Sequence, residues 1–391
     1  MKKVVFIVIL VFLAASCTPT LHPPVKEDLL SNEDEKIIWR RSLEEEKALN
    51  AKVVILQDKK LEDYLDQIIR KLQPEELPPG MSFKVIVVKD PYLNAFAFPN
   101  GIIYVHTGLL ARMDNEAQLA ALLAHEMAHC TQRHTLRAFR SMKDKPAFMV
   151  SVQQTLARLS MIQDVVKFLG LTGAMAAVTG YTRELESEAD IVGLDYMVSA
   201  GYDSYEALRL FDHLKSEIEH EQITEPFFFG THPNVQARID TIMGLLETKY
   251  KHKRGGIKNA ELFLSKLKPA ILENARLDLR IGRFDIAQSG VEKYLRITKN
   301  DARAYHLLGE IFRQRGEEHE YGKAMAYYQK AILIDSSYAE PHKAIGLIHF
   351  KAGHRALAKK FFESCLLLDP DTPDKAYIQG YIKQCLKDRE G

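Results

Sequence analysis

His125, Glu126 and His129 sit inside LLAHEMAHC, Leu122 to Cys130, a stretch that is otherwise apolar and helix-favouring. Residues four apart share one face of a helix. The two imidazoles can therefore hold one metal ion, with the glutamate beside it. Neutral imidazole suits Zn2+, and a catalytic zinc site keeps one position open for water. A neighbouring carboxylate can take a proton from water whose pKa the metal lowers. The plain alternative is a core helix carrying two tolerated histidines. Such a short motif also arises by chance, so it does not decide alone.

A zinc site needs a third protein ligand. ELESEAD, Glu184 to Asp190, offers Glu186, with Asp190 one helical turn on. Asp190 can reach the free N–H of a ligand histidine and fix its tautomer. Spacing leaves Glu184 and Glu188 open as ligands instead, and a solvated acidic face open as well. His106 and His134 read as structural residues. His134 lies five positions after His129, off the ligand face of an unbroken helix.

These residues need a scaffold. Residues 31–72 read as helical. LPPG, Leu77 to Gly80, breaks the pattern, and FKVIVVKD is a strand. In NAFAFPNGIIYVHTGLL, Pro99, Asn100 and Gly101 make a turn between two short extended segments. Asp114 is placed to cap the motif helix. Residues 145–180 read as core helices plus a loop, and TRELESEADIVGLDYMVSAGY as a helix stopped near Gly201. FFFGTHPNVQARIDTIMGLLE is a loop leading into a helix, and KHKRGGIKNA is the domain junction.

Beyond the junction the chain repeats itself. Gly282, Gly316 and Gly353 each precede a small residue, Ala287, Ala324 and Ala358. Gly282 to Gly316 and Ala324 to Ala358 are both 34 residues apart. This resembles the tetratricopeptide repeat, a helix–turn–helix unit of that period that builds binding platforms. The first unit carries Ala275 where the inner glycine usually stands. KAYIQGYIKQCL would cap the open end.

The set NAFAFPNGIIYVHTGLL, HEMAH, ESEAD and THPNVQAR, in that order, resembles the zinc endopeptidase family of the CAAX prenyl proteases and HtpX-type stress proteases. With an export signal and a repeat tail, the chain most resembles the periplasmic BepA-type β-barrel assembly-enhancing proteases. The resemblance implies an α+β, mostly α, zincin-type domain with a small β-sheet over 31–252. An all-α tetratricopeptide solenoid of about three units plus a capping helix would follow over 260–391. It implies one zinc ion held by His125, His129 and Glu186, with Glu126 as general base and later acid and Asp190 supporting a ligand histidine. His232 would be either a hydrogen-bond donor in the transition state or a fourth zinc ligand that blocks the resting site. Arg238 would hold the loop of His232 or the substrate carbonyl. Asn94 and Ala95 would lie on the strand that pairs with an extended peptide.

At the N-terminus, Lys2 and Lys3 precede the apolar run Val4 to Leu13, and Ala14-Ala15-Ser16 precedes Cys17. This reads as a lipoprotein-like signal over 1–16, with Cys17 lipidated and a proline-bearing tether over 17–30. The expected location is the periplasm, with a lipid anchor to the outer membrane. Of the remaining cysteines, Cys130 reads as a buried small residue, and a Cys365–Cys385 bridge is possible in that compartment. A net charge of +1 and the absence of a dense basic tract argue against nucleic acid as a partner. Expected clients are unfolded or misassembled outer-membrane proteins, with the β-barrel assembly machinery met through the repeats. The rival reading is a non-proteolytic periplasmic chaperone or assembly scaffold. A membrane-embedded HtpX-type protease would need further long apolar spans.

Overall fold

A computed structural model describes residues 33–78, 80–143, 181–221, 232, 235–316 and 320–387. The signal and tether expected over 1–30, and the apolar region 145–180, lie outside the described residues. The first part is helical with one small sheet. Helices α1 (Glu33–Asn50) and α2 (Lys59–Leu72) precede strands β1 (Lys84–Val88), β2 (Ala95–Ala97) and β3 (Ile102–His106). Then come α3 (Thr107–Arg112), α4 (Glu116–Thr131), α5 (His134–Lys143), α6 (Arg183–Ser199), α7 (Glu206–Glu221) and α8 (Val235–Glu247). The sheet order is β1-β3-β2, with β1 parallel and β2 antiparallel to β3, so β2 forms an edge. The turn into β3 needs glycine. Gly101 has φ +95°, and a Cβ there would lie 2.5 Å from the Ser82 carbonyl oxygen.

Helix α4, which carries the histidine motif, is buried on nearly all sides from Glu116 to Cys130. Its apolar sequence follows from that position, because no face meets water. Its cap is Asn115, whose side chain accepts from the Gln118 backbone N–H at 3.1 Å. Asp114, the cap expected from sequence, turns outward to meet Lys293 at 3.2 Å.

Seven further helices form the repeats. They are α9 (Ala260–Arg280), α10 (Phe284–Ile297), α11 (Ala302–Arg315), α12 (Glu320–Ile334), α13 (Ala339–Lys351), α14 (Arg355–Leu368) and α15 (Lys375–Lys387). They pack as successive antiparallel pairs, with α15 against α14. Gly282, Gly316 and Gly353 end the first helix of each pair in the left-handed conformation, which glycine adopts without strain. Gly309 lies under the Tyr328 ring and Gly346 under Phe362; a Cβ would come within 2.4 and 2.6 Å of those rings. In the first pair the small residue has moved to the second helix. There Gly290 meets Ala275, and a Cβ at Gly290 would lie 3.2 Å from the Ala275 Cβ. Cys365 is a free thiol, so the bridge considered from sequence is not formed.

The repeats are docked on the first part. One hydrophobic cluster runs from Leu56 through α4 to Ala331, across the charged junction. Helix α9 packs on the short α3. There Thr107 Oγ1 donates to Asn274 Oδ1 at 3.1 Å, and Arg112 pairs with Asp278 at 3.2 Å. Lys293 of α10 donates to the carbonyls of Ala111 and Met113 at 3.0 and 2.7 Å, capping the C-terminal end of α3. The junction itself is pinned: the Glu116 N–H donates to the Lys258 carbonyl, and Ile257 exchanges backbone bonds with Gly201 and Asp203. No described helix is long and apolar enough to cross a membrane.

Glu116 ties these pieces together. Its buried carboxylate accepts from Tyr64 and Tyr202 hydroxyls, both at 2.7 Å, from Asn259 at 3.0 Å and from Lys71 at 3.2 Å. Burial pushes its carboxyl up, but these donors outweigh burial and hold it below the ordinary carboxylate value of 4.5. A Glu116→Ala variant leaves the two hydroxyls unpartnered and is expected to lose about 3 kcal/mol in a urea melt at pH 7. Because the folded-state value is the lower one, that contribution is complete above the unfolded value of 4.5. It is lost as the pH falls through the folded one, so the gap to the parent should narrow in acid.

Candidate metal centre

Three elements deliver the side chains. Helix α4 supplies His125, Glu126 and His129; α6 supplies Glu186 and Asp190; α8 and the residue three before it supply Arg238 and His232. Helices α4 and α6 cross almost in backbone contact. At the crossing stands Gly193, where a Cβ would lie 3.0 Å from the His125 backbone nitrogen and 3.1 Å from the Ala124 carbonyl carbon. This closeness lets a carboxylate on α6 reach the imidazoles of α4.

His125 Nε2 and His129 Nε2 stand 2.9 Å apart. His232 Nδ1 lies 3.2 Å from His125 Nε2 and 3.0 Å from Glu186 Oε1. Glu186 Oε2 is 3.5 Å from His125 Nε2, and Oε1 is 3.6 Å from His129 Nε2. The four ligand atoms all fall within 4.8 Å of one another, and all four residues are buried. Three imidazoles and one carboxylate converging from a shared distance are a donor set that fits zinc. Of the three acids in ELESEAD that spacing left open, only Glu186 enters the cluster. Glu184 is exposed at the start of α6, and Glu188 pairs with Arg137 at 2.7 Å.

Electrostatics favour the metal-ready form of two of these donors. Burial, reinforced by the neighbouring His125, holds His129 well below the ordinary histidine value and favours the neutral ring that a metal requires. Burial would raise Glu186, but His232 and Arg238 outweigh it and keep the carboxyl well below the ordinary range. For His125, burial and Arg238 act downward, yet hydrogen bonds to Asp190 and Glu186 push it up to about 9. Glu126 is buried beside the cluster. Its Oε1 has no hydrogen-bond partner among the described residues and lies 3.4 Å from His232 Nε2.

A second ring of contacts holds the ligands. Asp190 Oδ1 lies 3.0 Å from His125 Nδ1 and 2.7 Å from Arg238 Nη2. Arg238 also donates through Nε to Asp190 Oδ2 at 3.0 Å, stands 3.5 Å from Glu186, and lies over the Phe211 ring. Its carboxylate partners are thus Asp190 and Glu186 of α6, and its Nη2 also lies 3.0 Å from His125 Nδ1. Behind His129, the His134 ring places Nδ1 at 2.9 Å from His129 Nδ1, and Tyr181 stacks on the His129 ring at 4.0 Å. Sequence reasoning set His134 aside by assuming an unbroken helix. The chain instead turns at Arg133, which has φ +54°, and α5 swings His134 back under His129.

Ala95 opens edge strand β2 opposite Val105 and is fully buried. The Asn94 carbonyl accepts from the His106 N–H at 3.0 Å, and the buried Asn94 Oδ1 has no hydrogen-bond partner among the described residues. His106 faces Asp90 at 3.3 Å. Cys130 is buried against the Phe98 carbonyl, and burial pushes its thiol far up. Cys17 lies outside the described residues.

Residues 56–246, which take in every member of the cluster, match the model of peptidase family M48. Residues 302–338 and 344–372 match the tetratricopeptide repeat. Residues 56–246 form a peptidase family M48 domain. Among its relatives is the "Putative beta-barrel assembly-enhancing protease" of Vibrio cholerae, 29% identical over 47% of this chain and 39% of the relative. The "Beta-barrel assembly-enhancing protease" of Escherichia coli strain K12 is 26% identical over 49% of this chain and 40% of the relative. The "Mitochondrial metalloendopeptidase OMA1" of Arabidopsis thaliana is 31% identical over 41% of this chain and 30% of the relative. The chain thus matches about two-fifths of the length of the first two relatives. In this M48 domain the crossing at Gly193 sets the site. A Gly193→Val variant is expected to separate α4 from α6, cost about 1–3 kcal/mol in thermal unfolding, and leave less than stoichiometric zinc after dialysis. Full zinc content in that variant would contradict the role given to the crossing.

Proposed function

We propose that the chain is a zinc-dependent endopeptidase of the cell envelope, acting on unfolded or misassembled outer-membrane proteins. The observation that carries this reading is Glu126: a buried carboxylate whose Oε1 accepts no hydrogen bond among the described residues, set against four converging side chains that can hold a metal. A purely structural zinc site has no use for such a base. His125, His129, Glu186 and His232 would hold the ion. When bound, zinc supplies Lewis acidity toward a peptide carbonyl and lowers the pKa of water. Glu126 then takes the proton from the attacking water and passes it to the leaving amine. Asp190 keeps the His125 Nδ1–H engaged, and Arg238 neutralises Asp190 and Glu186. We assign His232 the fourth corner in the resting state, so its departure uncovers Glu126; the alternative role is donation to the developing oxyanion.

Edge strand β2 supports recognition by strand addition near Asn94 and Ala95, which relies on backbone bonds and tolerates many sequences. The repeats support a client or partner platform. An open groove of about 940 Å3 runs from Leu56 and Asp58 along the inner faces of α9 and α11, with Leu272, Leu307 and Tyr338 among its lining residues. The names of the bacterial relatives support a place in β-barrel assembly. A periplasmic location with Cys17 as lipid anchor, and the assembly machinery as partner, belong to the same proposal. A second reading, a non-proteolytic scaffold, is favoured by one feature: a fourth protein ligand gives the closed set typical of structural zinc.

Two variants separate these readings on an unfolded substrate such as casein. Glu126→Gln is expected to keep one zinc per chain and lose cleavage by at least about 100-fold. Cleavage retained by Glu126→Gln would exclude it as the base. His232→Ala is expected to raise cleavage several-fold; a loss would instead assign His232 to the transition state. No cleavage in either the parent or His232→Ala would favour the scaffold.

A further inference from the structure

We propose that His134 is a positioning residue for the metal: it selects the tautomer of His129 and links that ligand to Glu188. The proposal rests on the zinc reading above. His129 turns Nε2 into the ligand cluster and Nδ1 away from it, toward His134. A neutral imidazole has one proton. If Nε2 is to offer a lone pair to a metal, that proton must sit on Nδ1.

Two imidazole nitrogens 2.9 Å apart need one donor and one acceptor. With His129 Nδ1–H as donor, the His134 Nδ1 lone pair accepts. The neutral His134 then carries its own proton on Nε2. That nitrogen is buried and has no hydrogen-bond partner among the described residues, but the Glu188 carboxylate faces it at 3.5 Å. Arg137 anchors Glu188 from the other side at 2.7 Å. The reverse order, with His134 donating, would put the His129 proton on Nε2 and close that ligand to metal.

The two ligand histidines of α4 are thus held by two carboxylates of one helix. Asp190 reaches His125 directly, whereas Glu188 reaches His129 through an inserted imidazole. His134 is fully buried, and Tyr181 covers the His129 ring, so water does not compete for Nδ1. The left-handed Arg133 is the device that makes the insertion possible. A left-handed non-glycine residue is uncommon and carries strain. Its guanidinium is tied to the buried Glu35 of α1 at 3.2 Å.

The alternative is a histidine that fills space. Zinc affinity tells the two apart, because packing alone moves stability without a preference for an acceptor at one atom. The experiment is chelator competition on the full chain loaded with zinc, alongside thermal unfolding of the metal-free chain. His134→Leu removes the acceptor at similar bulk and is expected to weaken zinc binding about 10–100-fold. His134→Asn keeps an acceptor oxygen at the Nδ1 position and is expected to stay within about threefold of the parent, although it loses packing. Glu188→Gln, at the half-buried end of the link, is expected to fall between them. If His134→Leu does not fold, His134→Ala against His134→Asn makes the same comparison. Parent affinity in the Leu or Ala variant, or equal losses for it and Asn, would overturn the assignment. A parent chain that binds no zinc would sink the metal reading and this assignment together.

Discussion

Four buried side chains place potential ligand atoms within 4.8 Å of one another, and the rest of the site is built around them. An unpaired charge in such a place costs several kcal/mol, and imidazole lone pairs aimed at each other gain nothing. A cation at the centre turns this liability into cohesion. The surroundings are arranged to the same end. Arg238 and Asp190 form an ion pair against His125, and Tyr181 covers His129. The helix that presents the ligands has no wet face, so the sheet, α2, α6 and α7 must close around it.

The repeats extend that core. Their first helix shares the hydrophobic cluster of the M48 domain, and polar side chains of α9 and α10 satisfy the end of α3. Glu116, at the first turn of the ligand helix, is bonded to Asn259 at the entry to the repeats and to Tyr202 after α6. A displacement of the solenoid is therefore mechanically connected to the base of the helix that carries the site. Within the solenoid, the repeated exchange of a glycine for a ring, Gly309 with Tyr328 and Gly346 with Phe362, sets how closely each pair packs.

Much of this was legible in the sequence, and the gaps have physical causes. Local periodicity is enough to find α4, the strands, the Pro99–Gly101 turn and the repeats, because each depends on neighbours within one element. Spacing alone left Glu184, Glu186 and Glu188 open, and only the family resemblance singled out Glu186. The packing of α6 on α4 decides it, with close approach at Gly193, whose meaning appears only when both helices are present. His134 stays outside the ligand group, as read from sequence, but its contact with His129 was not legible, because one left-handed residue, Arg133, redirects the chain. Asp114 was read as the helix cap, but Asn115 fills that place, because Asp114 makes a non-local contact with Lys293. The charged stretch was legible as the domain junction, but not its backbone bonds to residues far earlier in the chain, because those are non-local.

The central claim is that one zinc ion is held by nitrogen and oxygen ligands from three separate elements. X-ray absorption at the zinc edge on the loaded chain tests it most directly. The account predicts a first shell of four nitrogen and oxygen atoms at about 2.0–2.1 Å with the outer scattering of imidazole rings. A sulfur ligand at about 2.3 Å, or a shell of waters without imidazole scattering, would contradict it.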